Sequence, residues 1–97
     1  MATGQGTVTF DFGSAPGTNI VQATVIGQGA IGAGSKVDFF LMGTDSTVNH
    51  NGYEHALLSL FMGFACMSIT PASGFVAQAM SNLRLTGLVT ARFVWAD

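Results

Sequence analysis

Charge is what this sequence has least of. Asp, Glu, Lys and Arg make up 8% of its 97 residues, where an ordinary soluble domain carries roughly 25%. So few charges cannot cover a free surface, and the neutral and apolar patches left over are the kind that mark contacts with partners. A subunit of an assembly is the expectation. The permanent cations are Lys36, Arg84 and Arg92, and the net charge is -2. The counterion-releasing phosphate contacts that hold proteins on nucleic acid are therefore nearly unavailable, so nucleic acid is not an expected partner. Cys66 is the one cysteine, which excludes an intrachain disulfide. Within the apolar run FMGFACMSI it reads as a small buried hydrophobe. Repeats, linkers and charge blocks are absent as well, and a chain of this length has room for one core, so residues 1–97 are read as a single domain.

Two further absences bear on location. MATGQGTVTFDF has neither the basic segment nor the apolar core of a secretory signal, and synthesis in the cytoplasm is expected. Between His55 and Arg84 there is no charge at all. That interval opens with ALLSLFMGFACMSI, an apolar block of about fourteen residues, short of the ~20 that a spanning helix needs, and TPASG then interrupts it. Two adjacent buried strands, or a strand after a helical turn, fit better than a membrane span, and no membrane contact is expected.

What is present is alternation. In GTVTFDF, Val8, Phe10 and Phe12 point one way and Thr7, Thr9 and Asp11 the other. GSAPGTN supplies a turn. IVQATVIG sets Val21, Ala23 and Val25 against Ile20, Gln22, Thr24 and Ile26, a strand with two rather apolar faces. KVDFFLMG predicts a third strand and GFVAQAMSN another. LVTARFVWA alternates most cleanly, with Val89, Ala91, Phe93 and Trp95 on one side. GQGAIGAGS matches neither the dinucleotide fingerprint nor the phosphate loop and reads as a strand connector. Several short strands joined by Gly, Pro, Asn and Ser predict an antiparallel β-sandwich, jelly-roll-like, with no long amphipathic helix. The predicted core contains Phe10, Phe39, Leu41, Leu60, Phe75, Phe93 and Trp95. The methionines read as packing fillers. Phe93 and Trp95 could offer an aromatic platform, but alternation assigns them to core or subunit contact.

HNGYEH is the stretch that could carry chemistry. His50, Glu54 and His55, completed by Asp45, are the candidate metal ligands or proton carriers. Helical zinc motifs space two histidines four apart, whereas here they are five apart, a separation that turns them away from each other on a helix. Three residues separate His50 from Glu54, one more than the inverted zinc signature allows. The favoured reading is a hydrogen-bonded turn at Asn49, His50, Asn51 and Gly52 leading through Tyr53 into the apolar block, with the loop containing Asp45, Asn49, His50, Asn51 and Tyr53 exposed as a contact surface. No catalytic residue, cofactor or metal is predicted. A small metal-binding or hydrolytic domain on His50, Glu54 and His55 is kept as the alternative.

TVTFDFGSAPGTN, VIGQGAI, HNGYEHALL and LRLTGLVTARFVWA together resemble small virion structural proteins of tailed bacteriophages. The resemblance covers most of the chain through loose motifs: an opening DFG with Pro and Gly after it, HN followed by EH, and a closing Gly followed by alternating Val and aromatic residues. Asp11, Phe12, Gly13, His50, Asn51, Glu54, His55 and Trp95 match only as structural markers. The resemblance implies an all-β module, often trimeric, that decorates a capsid or forms the exposed tip of a fibre. The block LFMGFACMSI departs from that pattern by being unusually apolar. The expectation is a non-enzymatic homotrimer in the virion, contacting other virion proteins or a host surface ligand, with a small membrane-active phage protein inserting Ala56 to Val76 as a second alternative.

Overall fold

Inward-facing residues define the strands. β1 (Thr3–Asp11) buries Val8 and Phe10 and turns Thr7 and Thr9 outward, and Phe12 continues the buried row just past its end. β2 (Thr18–Val25), β3 (Lys36–Phe40), β4 (Met62–Thr70), β5 (Gly74–Leu85) and β6 (Leu88–Ala96) follow, with one short helix, α1 (Gly52–Leu58), between β3 and β4. This computed structural model describes residues 2–97. The strands form two three-stranded antiparallel sheets, sheet A in the order β1-β6-β3 and sheet B in the order β2-β5-β4. The antiparallel all-β expectation therefore holds as two small sheets sharing one core.

Size complementarity across the strands explains that core. On the inner face of sheet A, Gly4 pairs with Trp95, whose other partner is Val37. Gly6 pairs with Phe93, whose other partner is Phe39, while Val8 pairs with Ala91 and Phe10 with Val89. A large side chain on β6 always meets a small one on β1, and the reverse. A methyl group at Gly6 would stand 2.8 Å from Cζ of Phe93, and one at Gly4 would run into the Trp95 indole. Sheet B repeats the device around its central alanines, in the rows Val21–Ala79–Phe64, Ala23–Ala77–Cys66 and Val25–Phe75–Ile69.

Aromatic rings then close the space between the sheets. Phe75 of sheet B meets Phe93 of sheet A edge-on, with centroids 5.1 Å apart, and Phe39 packs on both Phe75 and Phe64 at 5.8 and 6.0 Å. Phe64 also meets Phe10 at 5.7 Å. Such pairs contribute about 0.5–1.5 kcal/mol each beyond the area they bury. The Trp95 indole is buried with its Nε1–H donated to Gln28 Oε1 at 2.9 Å, so no polar atom is stranded there. Of the predicted core, Phe10, Phe75, Phe93 and Trp95 are buried, and Phe39 and Leu41 pack against them half-buried.

Leu60 does not belong to that core. It is 74% exposed in the turn after α1, where Leu60 N–H donates to Leu57 O and the helix spends its inward position on Leu58 instead. The apolar block thus becomes a helical turn followed by a strand, one of the two outcomes its length allowed. Cys66 is half-buried on β4 rather than enclosed, and burial raises its thiol pKa.

Gly4→Ala should destabilise the chain by about 1–3 kcal/mol through overpacking. In a Trp95→Phe background the same substitution should cost measurably less, because the smaller ring leaves room for the methyl. Urea unfolding of the single and double variants checks the coupling, and strictly additive effects would contradict the steric account.

Candidate functional site

β3 is shorter than the strand it borders. Its pairing with β6 ends at Phe40 opposite Arg92, which leaves the flank of β6 from Thr90 to Leu88 without a strand on that side. The polar stretch from Asp45 to His55 supplies the missing partners from its side chains.

The capping of α1 fixes this stretch. Asn51 is the N-cap: its Oδ1 accepts from Glu54 N–H at 2.9 Å while Glu54 Oε1 accepts from Asn51 N–H at 3.0 Å, a reciprocal capping box. The bond from the Asn51 backbone, then the neighbouring His50, holds the Glu54 carboxyl below its ordinary pKa. With the helix started at Gly52, His55 faces inward and is fully buried.

Both ring nitrogens of His55 are committed. Thr90 N–H can only donate, so His55 Nε2 accepts from it at 3.0 Å; Nδ1 then carries the proton and donates to Asn51 O at 2.9 Å. Two residues earlier on β6, Leu88 N–H donates to Asn49 Oδ1 at 2.9 Å and Thr47 Oγ1 donates to Leu88 O at 2.6 Å. His50 donates from Nε2 to Thr86 O at 2.7 Å and sets Nδ1 3.4 Å from Glu54 Oε2. These side chains do for β6 what backbone groups of a neighbouring strand would do. Gly87 permits the approach: its φ is +75°, and a Cβ there would collide with the Asn49 side chain.

The start of the loop is tied by a bidentate ion pair. Arg92 donates from Nε to Asp45 Oδ2 at 3.0 Å and from Nη2 to Asp45 Oδ1 at 2.9 Å. The guanidinium holds the Asp45 carboxyl below its ordinary range and is itself raised by the pair. Asp45 and His50 are therefore drawn in, contrary to the expectation of a wholly exposed contact loop, while Asn49, Asn51 and Tyr53 remain exposed. The expected divergence of the two histidines also fails. Their ring centroids lie 6.4 Å apart, edge to face, because His50 precedes the N-cap and helical spacing does not apply to it.

Among the described residues no three His, Cys, Asp or Glu side chains are disposed to share an ion. Both nitrogens of His55 and Nε2 of His50 are already engaged, and Asp45 faces Arg92. His55 is sealed, and Cys66 is half-buried on β4. Trp95 and Phe93 are buried and offer no platform to a ligand.

In comparison with known proteins, no family model, curated protein or solved structure matches the chain. Among the described residues no helix is long and apolar enough to cross a membrane, and the stretch from Ala56 to Val76 forms the end of α1, the whole of β4 and the start of β5.

Replacing His55 with Leu leaves Thr90 N–H unpaired in a buried site and should cost about 2–4 kcal/mol, whereas EDTA should leave the melting temperature of the unmodified protein unchanged. Chelator-sensitive melting would return the histidines to a metal-binding role. Asp45 and Glu54 have folded pKa values below their unfolded ones, so their stabilisation is complete above the ordinary carboxylate pKa of about 4 and is lost as pH falls through the folded values. Stability measured against pH should therefore drop on the acid side, and Asp45→Asn should make that acid limb shallower.

Proposed function

We propose that the chain is a non-enzymatic structural subunit of a tailed-bacteriophage virion, a jelly-roll-like sandwich that assembles as a homotrimer and serves as a surface decoration or fibre-like protein. The virion setting rests on the motifs of the opening and closing strands and of HNGYEH. The observation that carries self-assembly is the uneven distribution of charge. The chain has three basic and five acidic residues, yet β2, β4 and β5 contain a single charged residue, Arg84.

The outer face of sheet B is consequently neutral across its paired rows. Its paired rows are Ile20–Met80–Gly63, Gln22–Gln78–Ala65 and Thr24–Val76–Ser68, with Met67 bulged out between Cys66 and Ser68. Ile20 is 56% exposed and Met67 51%. Gln22 Nε2 donates to Gln78 Oε1 at 3.0 Å, so the two amides of the most polar row already pair with each other. A symmetric contact sets equivalent patches against each other, and a patch without ions brings no like-charge repulsion and no ion desolvation. The edge strands β2 and β4 also lack the Lys or Pro that usually guards a free edge.

Light scattering of the purified protein in detergent-free buffer should give three times the 10.0 kDa chain mass. Met80→Glu, in the neutral face, should give the monomer with an unchanged far-ultraviolet circular dichroism spectrum. A monomeric unmodified protein, or a trimer indifferent to Met80→Glu, would overturn this reading.

A further inference from the structure

We propose that the outer face of sheet A is a binding groove for a neutral saccharide. This goes beyond the assembly reading and is independent of it, since the groove lies on the other sheet.

Two hollows of about 690 and 430 Å³ adjoin on this face and share Gln5 and Val94, within the size range of small-molecule sites. Register places the outward residues in three rows: Thr3–Ala96–Lys36, Gln5–Val94–Asp38 and Thr7–Arg92–Phe40. β6 forms the floor, where Val94 is 39% exposed, and Phe40 presents a ring with the same exposure at one end. Apolar ground in the middle with polar groups around it suits a ring that has C–H faces and hydroxyl edges.

The polar groups are free to take a ligand. Further down the same face the side chains satisfy each other, Thr9 with Thr90 at 3.0 Å and Arg92 with Asp45. Around the larger hollow, among the described residues, the side chains of Thr3, Gln5 and Lys36 have no hydrogen-bond partner in the chain. Asp38 uses only Oδ1, for Phe39 N–H at 2.9 Å. Lys36 and Asp38 point outward from one strand two residues apart without pairing. Ammonium, carboxylate, amide and hydroxyl thus converge with no net charge. An anion would meet Asp38 and a cation Lys36, whereas hydroxyls both donate and accept and can use all four.

The test is a titration of ¹⁵N-labelled protein, followed by amide shifts, with neutral oligomers of hexoses, N-acetylhexosamines and 6-deoxyhexoses, and with a uronic-acid oligomer as the charged comparison. At least one neutral oligomer should shift Gln5, Asp38, Phe40 and Val94 together, and more strongly than the uronic-acid oligomer. Gln5→Ala, Asp38→Ala and Phe40→Ala should each weaken that binding about tenfold, the equivalent of one good hydrogen bond or ring contact, and Thr24→Ala on sheet B should leave it intact. Because all three side chains are outward, the same spectra report whether each variant is folded. Absence of shifts with every neutral oligomer, shifts outside these rows, or groove shifts that follow protein concentration rather than sugar would overturn the proposal. The last would make the groove a contact between copies of the chain.

Discussion

Where the rings of Phe75 and Phe93 meet edge-on, the two sheets are joined through their central strands, and much of the remaining sequence is arranged to permit that contact. β5 and β6 are consecutive in the chain and central in their sheets, so the turn at Thr86 and Gly87 carries the chain from one middle strand to the other. For Phe93 to lean inward its neighbour on β1 must be nearly volumeless, and Gly6 is. The same holds for Gly4 beneath Trp95. Slipping either strand by one residue would turn every buried side chain toward solvent. Slipping by two would set Phe93 against Gly4 or Val8 and put the large and small residues out of step. The packing therefore specifies register twice, once by face and once by volume.

Polar residues in a chain with so few of them are spent inside the fold. His55, Asn49 and Thr47 replace a strand beside Leu88 and Thr90, His50 holds the β5–β6 turn, and Asn51 and Glu54 start the helix that aims His55 inward. A backbone extension of β3 would have satisfied the same groups, but it would not have left room for α1. The helix in turn brings Leu58 onto the core. HNGYEH looked like chemistry because its residue types are those of active sites. Its geometry is that of a hydrogen-bond network in which both nitrogens of His55 and Nε2 of His50 already have partners in the chain.

β1, β2, β3, β5 and β6 are legible because each has one face that must be apolar, and period-two alternation reports that directly, whereas β4 lies in an apolar block without it. β6 matched residue for residue, with Val89, Ala91, Phe93 and Trp95 all buried. What alternation could not show was anything requiring two distant segments at once. α1 was obscured by Gly52 and the flanking asparagines, although the spacing of Asn51 and Glu54 carries the capping signal. Leu60 reads as a core residue and yet lies outside, because apolar character alone does not say where a helix will stop. The closeness of His50 and His55 depends on a helix boundary between them. The groove on sheet A joins Gln5, Val94 and Asp38 from three strands, and no local pattern reports that juxtaposition.

The charge distribution has a structural reason that also bears on assembly. Asp45 and Arg92 tie the loop to β6, Asp97 accepts from Ala2 N–H and Ser35 Oγ to fasten the chain ends to the β2–β3 connection, and Glu54 caps the helix. Each of these tasks arises around sheet A, whose short third strand leaves backbone groups and loop ends to be secured. Sheet B has long strands paired through most of their length and needs no such ties. Its outer face could therefore remain neutral without weakening the fold. A neutral outer sheet is the less soluble choice for an isolated domain and the less repulsive one for a repeated subunit, which makes the placement of charge a consequence of the fold on one sheet and an argument for association on the other.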